Sequence, residues 1–381
     1  MASIKVQPNV EVLSWAINRS KVDLRSKFKQ LDRWLKGEAQ PTLSQLEELA
    51  KATSVPFGYF FLTQLPEEHL PIPHFRTLTQ QPKETPSPEM LDTIYIMRQR
   101  QEWMRDYLLE QGHEPLPFVR SISMRDDPCT IAQRIREQLG IDSQWAATHQ
   151  TWINALQALR EKTEDVGILV VTNSIVGNNP YRKLDVDEFR GFVLVDEFAP
   201  LVFINGADGK AAQMFTLAHE LAHIWLGTSA AFDLRNLLPA ADEIEQACNR
   251  IAAEFLVPEE DLRRFWNESI YQREGFQPFA RQFKVSEIVV ARRALDLNLI
   301  SREVFFAFYK EYQSRERSTI GGKGGGNFYS MQTLRLGRLF AWTVVSAVRE
   351  GRLLYRDAYR LTGLYGKTFE QFAEHLTGGR V

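Results

Sequence analysis

Phe215 to Gly227 reads FTLAHELAHIWLG. Residues four apart in an α-helix share a face one turn apart, so His219 and His223 project side by side, about 6 Å apart along the axis. Two imidazoles so placed can hold one divalent cation. Glu220, beside the first histidine and angled off the ligand face, can take a proton from a water activated there. Phe215, Leu217, Ala218, Leu221, Ala222, Ile224, Trp225 and Leu226 make this helix apolar nearly all round, which implies burial. Histidines and a glutamate inside such a helix are costly unless a metal or other partners satisfy them. A histidine pair at a cap or on a surface needs no such flanks.

Peptide hydrolysis fits these parts. Zinc lowers the pKa of bound water towards roughly 7 and polarises a carbonyl, and the glutamate can pass the water proton to the leaving amine. A catalytic zinc takes three protein ligands and keeps one position open. The next helical stretch, DEIEQACNRIAAEFLVP (Asp242 to Pro258), has Ile244, Ala247, Cys248, Ile251, Ala252 and Phe255 as a core stripe. Glu245 lies on one edge of the stripe, Glu243 and Glu254 on the other, and helix geometry leaves all three open as the third ligand. Cys248 is a soft-ligand alternative, although a small buried cysteine more often packs as core.

Upstream, GILVVT (Gly167 to Thr172), GFVLVDE (Gly191 to Glu197) and LVFING (Leu201 to Gly206) are rich in β-branched and aromatic residues and read as strands, the last two as a hairpin. Helices are expected over 89–112, 128–162, about 209–226 and about 241–256, the last stopping before Pro258. Residues 276–300 read as two helices with a turn near Val285-Ser286. At the N-terminus, Val10 to Asn18 has helical spacing. Thr42 is a plausible N-cap for a helix whose stripe is Leu43, Leu46, Leu49 and Ala50, with Val55 to Leu62 packed against it. Prolines recur from Pro66 to Pro88, as in a linker or strap. GGKGGG (Gly321 to Gly326) reads as a hinge: it lacks phosphate-loop spacing and no strand precedes it. After it, Leu334, Leu336, Leu339, Phe340, Trp342 and Val345 suggest a packed helical hairpin.

Among 381 residues, 44% are hydrophobic and 25% charged, enough to fill more than one core without disulfides. The net charge of −2 means that nucleic-acid contact would need a local patch. Two cysteines, Cys129 and Cys248, point to a reducing compartment. With no signal-like apolar core near the N-terminus and no membrane-length apolar run, a cytoplasmic protein with no membrane contact is expected.

FTLAHELAHIWLG followed by EQACNRIAAEFLVP resembles the ImmA/IrrE family of metallopeptidases. The resemblance implies a gluzincin-like site and selects Glu245 as third ligand, since the family's glutamate, its asparagine and its aliphatic run fall on Glu245, Asn249 and Ala252 to Pro258. Cys248 stands where many members carry alanine. The match covers roughly residues 165–310, and the helix pair near 276–300 resembles the helix-turn-helix that follows the catalytic unit in this family. WLKGEAQPTLSQLEELAKATSVPFGYFFL resembles the end of an XRE-type helix-turn-helix domain, with Trp34 to Glu38 as its W-x-x-G-E turn. The stretch from Val22 to Trp34 is short for a full recognition helix. Arg25, Lys27, Lys29, Arg33 and Lys36 form a basic cluster that either contacts DNA or is a solvated face, and the domain could instead dock on a partner of similar fold.

The expected architecture is α+β and mostly helical. It comprises a helix-turn-helix-like domain (1–65), linker and packing helices (66–145), a gluzincin-like zinc peptidase core with a small β-sheet (146–275), helix-turn-helix-like helices (276–317), and a Gly-rich hinge with C-terminal helices (318–381). The expected activity is that of a metallo-endopeptidase with His219, His223 and Glu245 on Zn2+ (Mn2+ the alternative ion) and Glu220 as general base. By resemblance, its substrate is an XRE-type repressor whose cleavage controls gene expression. The rival readings are a DNA-binding regulator with a non-proteolytic zinc site, and a toxin-like module inhibited by a small antitoxin-like partner.

Overall fold

The computed structural model describes residues 4–20, 23–66, 86–228, 230–232, 243–316 and 327–378. These fall into two units, one N-terminal to Thr93 and the other from Thr93 onward. In the first, Asn9 caps α1 (Val10–Arg19) by accepting from Glu11 N at 2.9 Å. Two short helices follow, α2 (Leu24–Lys27) and α3 (Leu31–Leu35). Thr42 and Gln45 form a reciprocal capping box at the start of α4 (Leu43–Thr53), as the threonine before that apolar stripe predicts. Leu46, Leu49 and Ala50 share a core with Val12, Leu13, Trp34 and Phe60, the last from a 3-10 turn at Phe57–Phe61. Leu43, expected in the stripe, sits in the exposed first turn and is only half-buried.

The second unit takes in most of α5 (Pro88–Glu110). One helical run was expected over 128–162, but two helices form: α6 (Pro128–Leu139) and α7 (Trp152–Asp165). Gly140, at φ +63°, ends α6 in the left-handed conformation that glycine adopts without a Cβ penalty, and Thr151 starts α7 as its N-cap.

The three apolar runs become β1 (Leu169–Asn173), β2 (Gly191–Leu194) and β3 (Leu201–Asn205), joined by an unforeseen β4 (Ala230–Phe232) in a sheet of order β1-β3-β2-β4. β2 and β3 pair antiparallel, as a hairpin must, while β1 lies parallel to β3. Alternation sorts the side chains. Val193 and Val202, paired across the hairpin, join the large core with Val170 and Ile204. Phe192 and Phe203, the next pair, stack at 4.9 Å between ring centroids.

α8 (Lys210–Leu226) packs on β2, β3 and the following helix α9 (Glu243–Leu256). Every residue of α8 from Gln213 to Trp225 is buried, as its apolar flanks predict. Truncating any one of Leu217, Leu221 or Ile224 to alanine is a change of about 2–5 kcal/mol. Gln213 Nε2 donates to Asp208 O at 2.7 Å and Gly206 O at 3.3 Å, tying down the turn before the helix. α10 (Glu259–Phe265), α11 (Glu268–Glu274), α12 (Gln277–Phe283), α13 (Glu287–Asp296) and α14 (Arg302–Glu316) follow, with the expected turn between α12 and α13 made at Lys284, φ +53°.

The C-terminal region holds four helices where a hairpin was expected: α15 (Phe328–Leu336), α16 (Arg338–Arg349), α17 (Tyr355–Thr362) and α18 (Lys367–Leu376). Leu336, Phe340 and Val345 are buried, but Trp342 is 41% exposed on the outer face of α16. α15 and α16 pack on β1. The linker at 66–88 and the Gly321 to Gly326 hinge lie almost wholly outside the described residues. No helix among the described residues is long and apolar enough to cross a membrane.

A missing side chain sets the approach of α8 to the sheet. A Cβ on Gly191 would stand 2.5 Å from Thr216 Cγ2 and 2.8 Å from the Phe203 carbonyl oxygen. Gly191→Ala is therefore expected to overpack the β2–α8 contact and lower stability by about 1–3 kcal/mol, read as a lower urea midpoint at unchanged slope. An unchanged midpoint would show that the contact is not tight.

Candidate metal centre

His219 and His223 sit one turn apart on α8 and are fully buried. Their Nε2 atoms face each other at 3.0 Å. Glu245, in the first turn of α9, places Oε2 at 3.1 Å from His219 Nε2 and Oε1 at 3.2 Å from His223 Nε2. Donors bound to one zinc at 2.0–2.1 Å with tetrahedral angles stand about 3.3 Å apart, so three atoms separated by 3.0–3.2 Å have the required spacing.

The outer ring nitrogens are also held. His219 Nδ1 lies 3.1 Å from Asn249 Oδ1, and His223 Nδ1 lies 2.9 Å from Thr228 Oγ1. An amide oxygen only accepts, so His219 Nδ1 carries the proton and Nε2 is left with its lone pair facing inward. Burial lowers the His219 pKa, outweighing the opposing pull of Glu245. Burial alone would raise the Glu245 carboxyl, but the two imidazoles outweigh it and hold the group below its ordinary range. Two ring nitrogens and a carboxylate within 3.2 Å of one another compete for the same protons in a buried site, and a cation would serve all three at once. Glu245 Oε1 accepts no hydrogen bond among the described residues. The residues present therefore fit a divalent metal.

Of the other carboxylates left open by helix geometry, Glu243 is exposed. Glu254 is buried against Arg293 and accepts from Glu259 N, so it is already satisfied. Cys248 borders the centre: its Sγ and one nitrogen of each histidine fall within 4.8 Å of one another. The thiol is thus part of the wall, while the Glu245 carboxylate stands at donor spacing from both rings.

Glu220 is fully buried, and neither carboxylate oxygen has a hydrogen-bond partner among the described residues. Burial, and then the negative charge of Glu245, push its pKa well up. A bound cation would pull it back towards the ionised form that a general base requires. Oε1 lies 3.4 Å from the position a Cβ would take on Gly191, so the bare edge of β2 forms part of the Glu220 pocket.

Three contributors escaped the sequence reading. Gly227 ends α8 at φ +79°, and its N–H and that of Thr228 both return to His223 O, which folds Thr228 back onto the His223 ring. The signal was the Gly-Thr after the helix, a C-terminal stop followed by a hydroxyl. Asn249 was visible in the motif, but not as a partner of His219. Gly191 carried no local signal. The basic residues Arg25, Lys27, Lys29, Arg33 and Lys36 are all exposed in the N-terminal unit. Arg25 pairs with Asp32 at 3.3 Å, and Lys27 lies over the Phe28 ring.

Residues 163–295, which span this centre, match the peptidase M78 family model, described as an IrrE N-terminal-like domain. The match supports an ImmA/IrrE-like metallopeptidase domain, from the end of α7 to α13. Residues 336–375 match a family model described as a domain of unknown function. No curated protein matches the chain.

Asn249→Ala and Thr228→Val are each expected to weaken zinc binding by about 10–100-fold in competition with a chromogenic chelator, because each frees a ligand ring to turn. Glu245→Ala is expected to lose far more than Cys248→Ala. The reverse order would make the thiol the third ligand.

Proposed function

We propose that the chain is a zinc-dependent endopeptidase that cleaves a helix-turn-helix transcriptional repressor of XRE type and so controls gene expression. The observation that carries the hydrolase reading is the convergence of His219, His223 and Glu245 at zinc-donor spacing, with the unpartnered Glu220 carboxylate one residue from the first histidine. His219, His223 and Glu245 would hold the ion. Zinc supplies a Lewis acid that makes water nucleophilic at neutral pH and polarises the peptide carbonyl. Glu220 takes the proton of the attacking water on its carboxylate and delivers it to the leaving nitrogen. Asn249 keeps the His219 ring in the tautomer that presents Nε2, and Thr228 holds the His223 ring in its orientation. Manganese is the alternative ion, since the donor set of two imidazoles and a carboxylate accepts it. A metal held only for structure would have no use for a buried, unpaired glutamate at 220. The two thiols, neither in a disulfide, suit a cytoplasmic setting.

Incubated with zinc and an XRE-type repressor, the protein is expected to yield two discrete fragments. Glu220→Gln should keep stoichiometric zinc while cutting at least about 100-fold more slowly. A Gln variant that cuts at the wild-type rate would overturn the mechanism, and wild type that binds zinc yet cuts no repressor would overturn the substrate.

For the N-terminal unit, a protein-docking role is favoured over reading of DNA bases. Helices α2 and α3 have 4 and 5 residues, too little to lay a recognition helix along a major groove. In this reading the exposed basic face engages the substrate repressor, a partner of similar fold. Gel shifts with the upstream DNA of its own gene are expected to show only weak binding that vanishes with salt. Tight binding lost on charge reversal of Arg25, Lys29 and Arg33 would favour the regulator reading.

A further inference from the structure

We propose that a cleft in the second unit, between α5, the loop after β1 and α17, binds a small organic anion. Its volume is about 320 Å³, within the small-ligand range, and it shares no residue with the metal centre. Arg100 of α5 and Arg360 of α17 both line it, and its walls contain no acidic residue.

Arg100 is 5% exposed. Its Nε donates to Leu361 O at 3.1 Å and its Nη1 to Arg335 O at 2.9 Å, with the guanidinium over the Phe340 ring. Its Nη2 donates to no described residue, and no carboxylate of a described residue pairs with it. Burial lowers its pKa to about 10, which still leaves it charged at neutral pH. A buried cation whose company is two neutral carbonyls and an aromatic ring is a costly arrangement, and an anion entering beside it would relieve the cost. Arg360, on the exposed side of the cleft, has no carboxylate partner among the described residues either. The Gln99 amide, with its oxygen turned to the guanidinium, accepts from Arg360 Nε at 3.1 Å and Nη2 at 3.2 Å, which fixes the fork in place. Two guanidinium groups lining one cleft offer charge-assisted bonds to a carboxylate or phosphate head.

The walls are built rather than accidental. Asn178 Nδ2 donates to Thr362 O at 3.4 Å and Gly363 O at 3.1 Å, clamping the loop to the end of α17. Gly363 is at φ +68°, and a Cβ there would meet that amide nitrogen at 2.9 Å. Ile96, Val176 and Leu361, with the Tyr365 ring, supply apolar surface for the body of the ligand. The ligand is therefore one with an anionic head and a compact apolar or aromatic body.

The test is calorimetric titration of the full chain, at constant ionic strength, with phenyl phosphate in one arm and benzoate in the other. One of the two is expected to bind saturably with a Kd below about 1 mM, and which one does so identifies the head group. Arg360→Ala is expected to weaken that binding at least about tenfold. The control Arg356→Ala removes an exposed arginine of the same helix that lies outside the cleft, and is expected to leave binding unchanged. Circular dichroism and unfolding midpoints establish that both variants are folded. The proposal is overturned if neither compound saturates by about 10 mM, if Arg360→Ala binds as wild type does, or if the two arginine variants weaken binding equally.

Discussion

Two imidazoles of α8 and the Glu245 carboxylate of α9 are held within 3.2 Å of one another in a buried site. In a low-dielectric interior these atoms compete for the same protons, and the His219 Nδ1 proton is already committed to Asn249. Folding and cation binding are therefore linked. Whatever affinity the site has for its metal adds to the stability of the loaded form and is absent from the empty one. Burial and the Glu245 charge also push the Glu220 pKa up, and a cation at the centre would pull it back down.

The surrounding fold serves this arrangement through closeness. β2 begins with a residue that has no side chain, and this lets Thr216 and Glu220 of α8 lie against the strand. At the other end of the helix, Gly227 turns the chain sharply enough to return Thr228 to the ring it orients. α9 completes the centre from one face, where Glu245, Cys248 and Asn249 lie three and four residues apart and all turn towards α8. Behind that face, Arg293 neutralises Glu254 and donates to Val257 O, so the second carboxylate of α9 is withdrawn from the centre. Which glutamate faces the two histidines is thus decided in part by an arginine on α13.

How far the sequence could be read depended on how local each cause was. The buried helix and its histidine pair were legible because their spacing and apolar flanks lie within one short stretch. The β2–β3 hairpin and the Thr42 cap were legible for the same reason. The choice among Glu243, Glu245 and Glu254 was not, because the partner that removes Glu254 lies 39 residues away. β4 is a short Ala-Ala-Phe segment that becomes a strand only by pairing with β2, and its own composition announces nothing. The break between α6 and α7 was overlooked although Gly140 marked it, since the amphipathic pattern resumes after the interruption. Trp342 was counted as core on hydrophobicity alone, whereas its helical phase puts it outside.

The C-terminal helices, for which the sequence suggested no chemistry, are not an appendage. Glu164 at the end of α7 is buried, accepts from Leu339 N at 3.0 Å in the first turn of α16, and meets Arg338. A carboxylate at a helix N-terminus is favoured by the helix dipole, yet burial raises this one to about 7 against the lowering pull of Leu339 N–H and Arg338. The junction residue Gly337 presses so closely on β1 that a Cβ would stand 2.9 Å from Val170 O. From the other side, Arg100 donates to carbonyls of both α15 and α17. Backbone groups of the C-terminal helices are therefore satisfied by side chains of α5 and α7, and a strand of the metallopeptidase sheet is covered by α15 and α16. An element that completes another element's hydrogen bonds cannot move away without leaving them unmade. The helices that follow the Gly-rich segment are thus part of the folding unit that holds the metal centre, and the cleft at Arg100 lies in the seam where they join it.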